Sequence, residues 1–140
     1  VRAIDDARSE VLVAMFMFTS RPLARALVRA KGRGVDVHVL LDREQAYASY
    51  GKKDRLERGE VPVRLFDPEG DGGGDEKFEP KFHHKFCVID RRVVATGSFN
   101  WTKLANEANH ENLLLVRSRR IAMEFVKVFD GLWGRGEKSD

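Results

Sequence analysis

Residues 82–113 gather the side chains that could do chemistry together: FHHKFCVIDRRVVATGSFNWTKLANEANHENL. If this segment opens as a strand, side chains alternate between its faces. His83 and Lys85 then point one way, and His84 and Phe86 the other. That sets an imidazole, able to act as nucleophile or proton carrier, beside a fixed ammonium. Gly97-Ser98-Phe99-Asn100 ends a neighbouring strand. The glycine permits close approach, and Ser98 and Asn100 can both present donors to the same point. Glu111 opens a further strand, where a carboxylate can bind the second nitrogen of a histidine. Such a partner holds one nitrogen protonated, frees the other to attack, and stabilises positive charge as a phosphohistidine forms. The set suits a phosphate anion whose charge is stabilised without a metal, and no cofactor is implied.

These residues need elements to hold them. Residues 11–18 (VLVAMFMF) form a near-continuous apolar run, as in a strand buried on both faces. Thr19 and Ser20 offer an N-cap, with Pro22 in the first helical turn. Leu23, Ala26, Leu27 and Ala30 follow at helical spacing, and Gly32 and Gly34 stop the helix. Residues 35–41 are a second strand, 44–58 a helix interrupted at Gly51, and 61–66 a third strand. Residues 67–76 (DPEGDGGGDE) have no core face and read as a loop at the rim of the site. Strands over 82–89 and 93–96 are joined by the polar turn Asp90-Arg91-Arg92, and 113–116 is a last strand. Ser118 caps a final helix whose apolar face is Ile121, Phe125, Val128, Phe129 and Leu132. The pattern gives an α/β fold, a mixed central sheet flanked by helices on both faces, as one domain over residues 1–140.

Other conspicuous residues have ordinary readings. His84 has the wrong parity for the site, His38 lies in a strand without a motif, and His110 faces away beside Glu111. Cys87 is a small buried apolar residue; as the single cysteine it excludes an internal disulfide and a multi-cysteine zinc site. Trp101 and Trp133 are anchors more often than base-stacking platforms. Tyr47 and Tyr50 follow the second strand, where a loop could reach a substrate groove. The acidic glycine loop lacks the ligand spacing and closing glutamate of an EF-hand.

Composition bounds the partners. Of 140 residues, 42% are hydrophobic and 34% charged, the balance of a globular protein with room for a core. A net charge of +3 is compatible with an anionic partner without identifying one. No apolar run approaches the roughly 20 residues that span a bilayer, and no secretory signal is visible. The chain begins at Val1 rather than Met, which leaves room for a leader or anchor and keeps the compartment open.

His83-x-Lys85-x4-Asp90 followed by Gly97-Ser98-x-Asn100 resembles the HKD motif of the phospholipase D superfamily. Glu111 falls where the small single-motif bacterial endonucleases of that superfamily place a glutamate. The N-terminal strand followed by Thr19-Ser20-x-x-Leu23-Ala24-x-Ala26-Leu27 is similar to their opening. The resemblance implies that His83 attacks phosphorus, Lys85 and Asn100 hold the phosphate oxygens, Ser98 supports them, and Glu111 orients His83. Asp90, at a turn and with opposite parity to His83, is a structural member of the motif. Family enzymes bring two such motifs together, one histidine attacking and the other protonating the leaving oxygen. One motif per chain therefore implies a homodimer whose two sites face each other across a two-fold axis. The expected substrate is DNA or RNA. A phospholipase D or phosphatidyl transferase acting on anionic membrane lipid, and a non-catalytic nucleic-acid-binding dimer, are the alternatives.

Overall fold

The apolar run after Ser9 becomes the middle of a sheet. In the computed structural model, which describes residues 1–48, 51–68 and 81–138, strand β1 is Glu10–Met15 and is buried from Val11 onward. It pairs in parallel with β2 (Asp36–Asp42), Val13 opposite Val39. On its other side it pairs antiparallel with β4 (Lys85–Ile89), Val13 opposite Cys87. β3 (Val63–Phe66) extends the parallel half beside β2. β5 (Val93–Gly97) and β6 (Leu113–Arg117) extend the antiparallel half beside β4. A two-residue β7 (Glu137–Lys138) closes the far side against β3. Among the described residues this is one seven-stranded mixed sheet, ordered β6-β5-β4-β1-β2-β3-β7.

Alternation along the strands divides the core into two layers. Val11, Val13, Val39, Leu41 and Cys87 face one side, against Ile4 of α1 (Arg2–Asp5), Ala24 and Leu27 of α2 (Arg21–Gly32) and Leu56 of α4 (Lys53–Arg58). Leu12, Leu40, Phe86, Val88 and Val94 face the other, against Ala122, Val126 and Phe129 of α6 (Arg119–Arg135). Helices thus cover both faces, as the sequence pattern requires. The caps lie where expected: Ser20 Oγ accepts from Leu23 N–H (3.4 Å) and Ser118 Oγ from Ile121 N–H (3.3 Å).

Several boundaries differ from the sequence reading. β1 stops at Met15 rather than at residue 18, because Met17 N–H and Phe18 turn to pair with Asn100 and Trp101 instead of β2. The helix expected over 44–58 is two short ones, α3 (Arg43–Ala46) and α4, with Gly51 between them. β4 begins at Lys85, so His83 and His84 precede the strand rather than lie within it. The apolar face of α6 is rotated: Ala122 and Val126 are buried, while Ile121 and Val128 are exposed. A bulky-residue count favoured Ile121 and Val128, but α6 packs closely enough to seat an alanine. The short helices α1 and α5 (Lys103–Glu107) and strand β7 were not anticipated. Of the glycine-rich loop only Asp67 and Pro68 lie within the described residues.

Candidate active site

The site forms at the end of the sheet where the parallel strands finish. Lys85, the first residue of β4, lies opposite Met15, the last of β1. Just beyond, Phe16 N–H donates to His84 O (2.8 Å) and Met17 N–H donates to Asn100 Oδ1 (3.4 Å). The tail of β1 therefore stitches the histidine pair to the segment after β5. Phe16 also packs its ring against His83, with centroids 4.8 Å apart, and lies 5.2 Å from Lys85 Nζ. One aromatic ring thus touches both motif side chains, which puts them on a common side. His84 points the other way, edge-on to Phe82 and Phe86. The parity argument holds although the strand starts later than expected.

Lys85 Nζ donates to His83 O (2.9 Å). Partial burial lowers the Lys85 pKa, and the Glu111 carboxylate opposes that shift. His83 is exposed, yet desolvation, then Lys85 and Lys81, push its pKa below the ordinary 6.5; Asp42 pulls weakly the other way. These surroundings favour the neutral imidazole, with a nitrogen lone pair available.

On the neighbouring strands, Ser98 joins β5 to the approach to β6. Its hydroxyl donates to Glu111 Oε2 and accepts from Asn112 N–H (3.0 Å), while its own N–H donates to Asn112 Oδ1 (3.2 Å). Asn109 Nδ2 donates to Glu111 Oε1 (3.2 Å). The Ser98 and Asn109 donors, with Lys85 behind them, hold the Glu111 pKa below the usual carboxylate range. Gly97 makes the junction possible. Its φ is +155°, and a Cβ there would come within 2.2 Å of Asn112 O. Asn100 keeps its Oδ1 on Met17, which leaves Nδ2 without a protein partner among the described residues and able to donate to a ligand.

One expectation changes at the level of contacts. Glu111 binds Ser98 and Asn109, and within this one chain no hydrogen bond joins it to His83 among the described residues. Asp90 lies at the opposite end of β4 from His83, where its carboxylate accepts from the N–H groups of Arg8, Ser9 and Glu10 and from Ser9 Oγ at 2.8–3.1 Å. Burial alone would raise the Asp90 pKa; those donors outweigh it and bring the pKa below the carboxylate norm. The φ values of Asp90 and Arg91 are +50° and +52°, a tight turn held by this carboxylate.

Sequence reasoning missed Phe16 and Asp42. Phe16 was absorbed into an apolar run read as one strand. Asp42 is buried and caps α3 by accepting from Gln45 N–H (3.0 Å). Its signal was visible: a carboxylate ending a parallel strand, the edge where α/β sheets put ligands. Trp101 is buried against Phe18 and Trp133 stacks on Phe129, both as anchors. His110 is exposed, His38 packs on Trp133, and burial pushes the Cys87 thiol up to about 12. Tyr47 is exposed over Lys53; Tyr50 lies outside the described residues. Among the described residues no group of three or more His, Cys, Asp or Glu could hold a metal ion, and no helix is long and apolar enough to cross a membrane.

Comparison with known proteins points one way. The family described as "Cardiolipin synthase, PLD-like domain" matches residues 1–133. The chain is 35% identical over 127 residues to a mitochondrial cardiolipin hydrolase of Xenopus tropicalis, across 91% of this chain and 56% of that one. The crystal structure of Nuc, a phospholipase D family member from Salmonella typhimurium, is similar with a TM-score of 0.84 at 29% identity, across 99% of this chain and 86% of that one. NucT from Helicobacter pylori is similar with a TM-score of 0.88 at 25% identity, across 99% and 87%. The chain spans about half the length of the curated relatives it matches.

Proposed function

Because the chain belongs to the phospholipase D superfamily, we propose that it is a metal-independent phosphodiesterase that cleaves DNA or RNA through a phosphohistidine and works as a homodimer. The observation that carries the chemistry is His83: an exposed imidazole with a lowered pKa, beside the Lys85 ammonium and with no carboxylate hydrogen bond among the described residues. In the proposed reaction a His83 nitrogen attacks phosphorus, the N–P bond forms, and the P–O bond to the leaving oxygen breaks. Lys85 and the Asn100 amide hold the non-bridging oxygens, with Ser98 supporting them. A second, protonated histidine gives its proton to the leaving oxygen. That histidine then takes a proton from water, whose oxygen displaces the N–P bond and restores His83.

One chain supplies one such histidine, so the second comes from a second copy. The surface beside the site supports this reading. Leu113, Leu114 and Leu115 on edge strand β6 are 50–60% exposed. Register puts Leu113 opposite Gly97 and Leu115 opposite Ala95, so both lie on one face, and Glu111, two residues before β6, is held at Ser98. A copy covering these leucines would sit against the Glu111–Ser98 pair, where each Glu111 could serve the other copy's histidine.

Nucleic acid is the preferred substrate because the match to Nuc and NucT runs over most of those chains, whereas it covers only 56% of the Xenopus lipid-hydrolase relative. Lipid is the second reading, favoured by the cardiolipin hydrolysis for which such relatives are named and by the exposed leucines. The test is cleavage of labelled single-stranded DNA, RNA, duplex DNA and anionic phospholipid vesicles in excess EDTA, with His83→Ala alongside. Nucleic-acid cleavage by the wild type alone is the expected result. Loss of activity with chelator would overturn the metal-free reaction; cleavage of lipid only would transfer the site to the second reading.

A further inference from the structure

Helices α2 and α4 both run back from the end of the sheet that carries the site, since each follows a parallel strand. Arg21 opens α2 directly after Thr19 and Ser20, whose N–H groups are bound to Trp101 O, one residue from Asn100. Arg25 and Val28 follow Arg21 at helical spacing on one face. Arg55 and Arg58 lie along α4. The two helices close on each other at Gly59, where a Cβ would meet Val28 Cγ2 at 2.5 Å. Between them is a cavity of about 230 Å³ lined by Val28, Arg55, Arg58 and Gly59.

This groove gathers positive charge. Some arginines elsewhere have acidic partners, Arg29 with Asp5 at 2.7 Å and Arg91 with Glu10 at 2.9 Å. Among the described residues none of Arg21, Arg25, Arg55 or Arg58 pairs with a carboxylate. The acids of α4, Asp54 and Glu57, are drawn to the buried Lys53 at 3.9 and 3.2 Å, and Arg58 Nε donates to the Asp54 backbone carbonyl at 3.2 Å. Lys52, which donates to Gly51 O at 3.3 Å, lies near them: burial, then Arg21 and Arg55, lower its pKa, which places these cations within electrostatic reach of one another. Like charges held together this way repel until an anion joins them, and guanidinium groups present paired donors to phosphate.

We infer that the groove between α2 and α4 binds the phosphodiester backbone of a nucleic-acid strand as it leaves the catalytic site. This rests on the nuclease reading of the site and adds where the strand runs. Seven residues of α2 span about 10 Å, the length of about three phosphates at the roughly 3.4 Å axial spacing of one strand. A chain with regularly spaced phosphates matches such a stripe better than a single lipid headgroup does.

The test compares the wild type with Arg55→Gln/Arg58→Gln on three probes: bis(p-nitrophenyl) phosphate, single-stranded oligonucleotides of 4 and 20 nucleotides, and phosphatidylglycerol vesicles. Turnover of the small diester reports on the site and on folding, and should stay within about twofold. KM and binding anisotropy for the 20-mer should weaken at least tenfold, with little change for the 4-mer. The slope of log affinity against log salt should fall by about 1.4, two phosphates at about 0.7 each. Unchanged 20-mer affinity and salt slope in a variant that still turns over the small diester would overturn the groove. Loss confined to vesicle binding would overturn it in favour of a lipid surface. If the wild type turns over neither diester, the nuclease reading fails, and 20-mer anisotropy still reads the groove by itself.

Discussion

As nucleophile, His83 attacks only while its imidazole is neutral, and its surroundings favour that form. Burial, then Lys85 and Lys81, lower its pKa. The acid limb of kcat/KM should therefore lie below pH 6.5, with the apparent value belonging to the two histidines of a dimer as a coupled pair. Lys81→Gln removes one of the repelling charges without touching the site, so it should move that limb upward. A limb at or above 6.5 that ignores Lys81 would remove His83 from the nucleophile's position. Asp90 does its work by folding rather than chemistry. Its carboxylate accepts from four donors in residues 8–10, and losing them should cost about 1–3 kcal/mol. The folded pKa is lowered, so this stability is present above the unfolded value of about 3.9 and is lost as pH falls through the folded one. The melting-temperature gap between wild type and Asp90→Asn should be open at pH 7 and close below about pH 4, with small-diester turnover per folded molecule unchanged. These roles were legible because His83 and Asp90 flank the short strand that Lys85 opens, where parity separates a site residue from a turn residue. Phe16 was not legible, since nothing local reveals where a strand embedded in a longer apolar run stops.

At the scale of elements, the site depends on the junction between β5 and β6. Gly97 allows Asn112 to approach, and that approach brings Glu111 to Ser98. Gly97→Ala would press a Cβ into Asn112 O at 2.2 Å in a φ of +155° that L side chains rarely adopt. We expect at least a tenfold loss of turnover with a smaller fall in melting temperature, because the clash falls at a sheet edge and spares both core layers. Full turnover in Gly97→Ala would detach the Ser98–Glu111 pair from catalysis. The same junction shows what local sequence encodes. Central strands announced themselves as apolar runs, and two helices by their caps at Ser20 and Ser118. The face of α6 was misassigned because side-chain size was used in place of fit: Ala122 is buried and Ile121 is not. α1, α5 and β7 are too short to carry a period, and only tertiary contacts hold them, as Arg43 holds β7 through Glu137.

For the whole molecule, one strand decides whether the chemistry is complete. β6 is the outer strand of the antiparallel half, and its leucines are exposed where edge strands more often carry charge or a covering element. If a second copy covers this face, the apolar surface is satisfied and a second histidine arrives by the same contact. Leu113→Arg/Leu115→Arg places two like charges on the proposed interface, next to their symmetry mates, and leaves both core layers untouched. The variant should elute as a folded monomer with an unchanged melting curve at low protein concentration. Its turnover of even the small diester should fall by at least about 10², the usual contribution of one acid–base group. Wild-type specific activity should likewise decline on dilution, as dimers dissociate. A monomeric variant with full turnover would show that one chain makes its own acid, and the two-fold site would have to be abandoned. A variant that remains dimeric and active would instead place the contact between copies on another face.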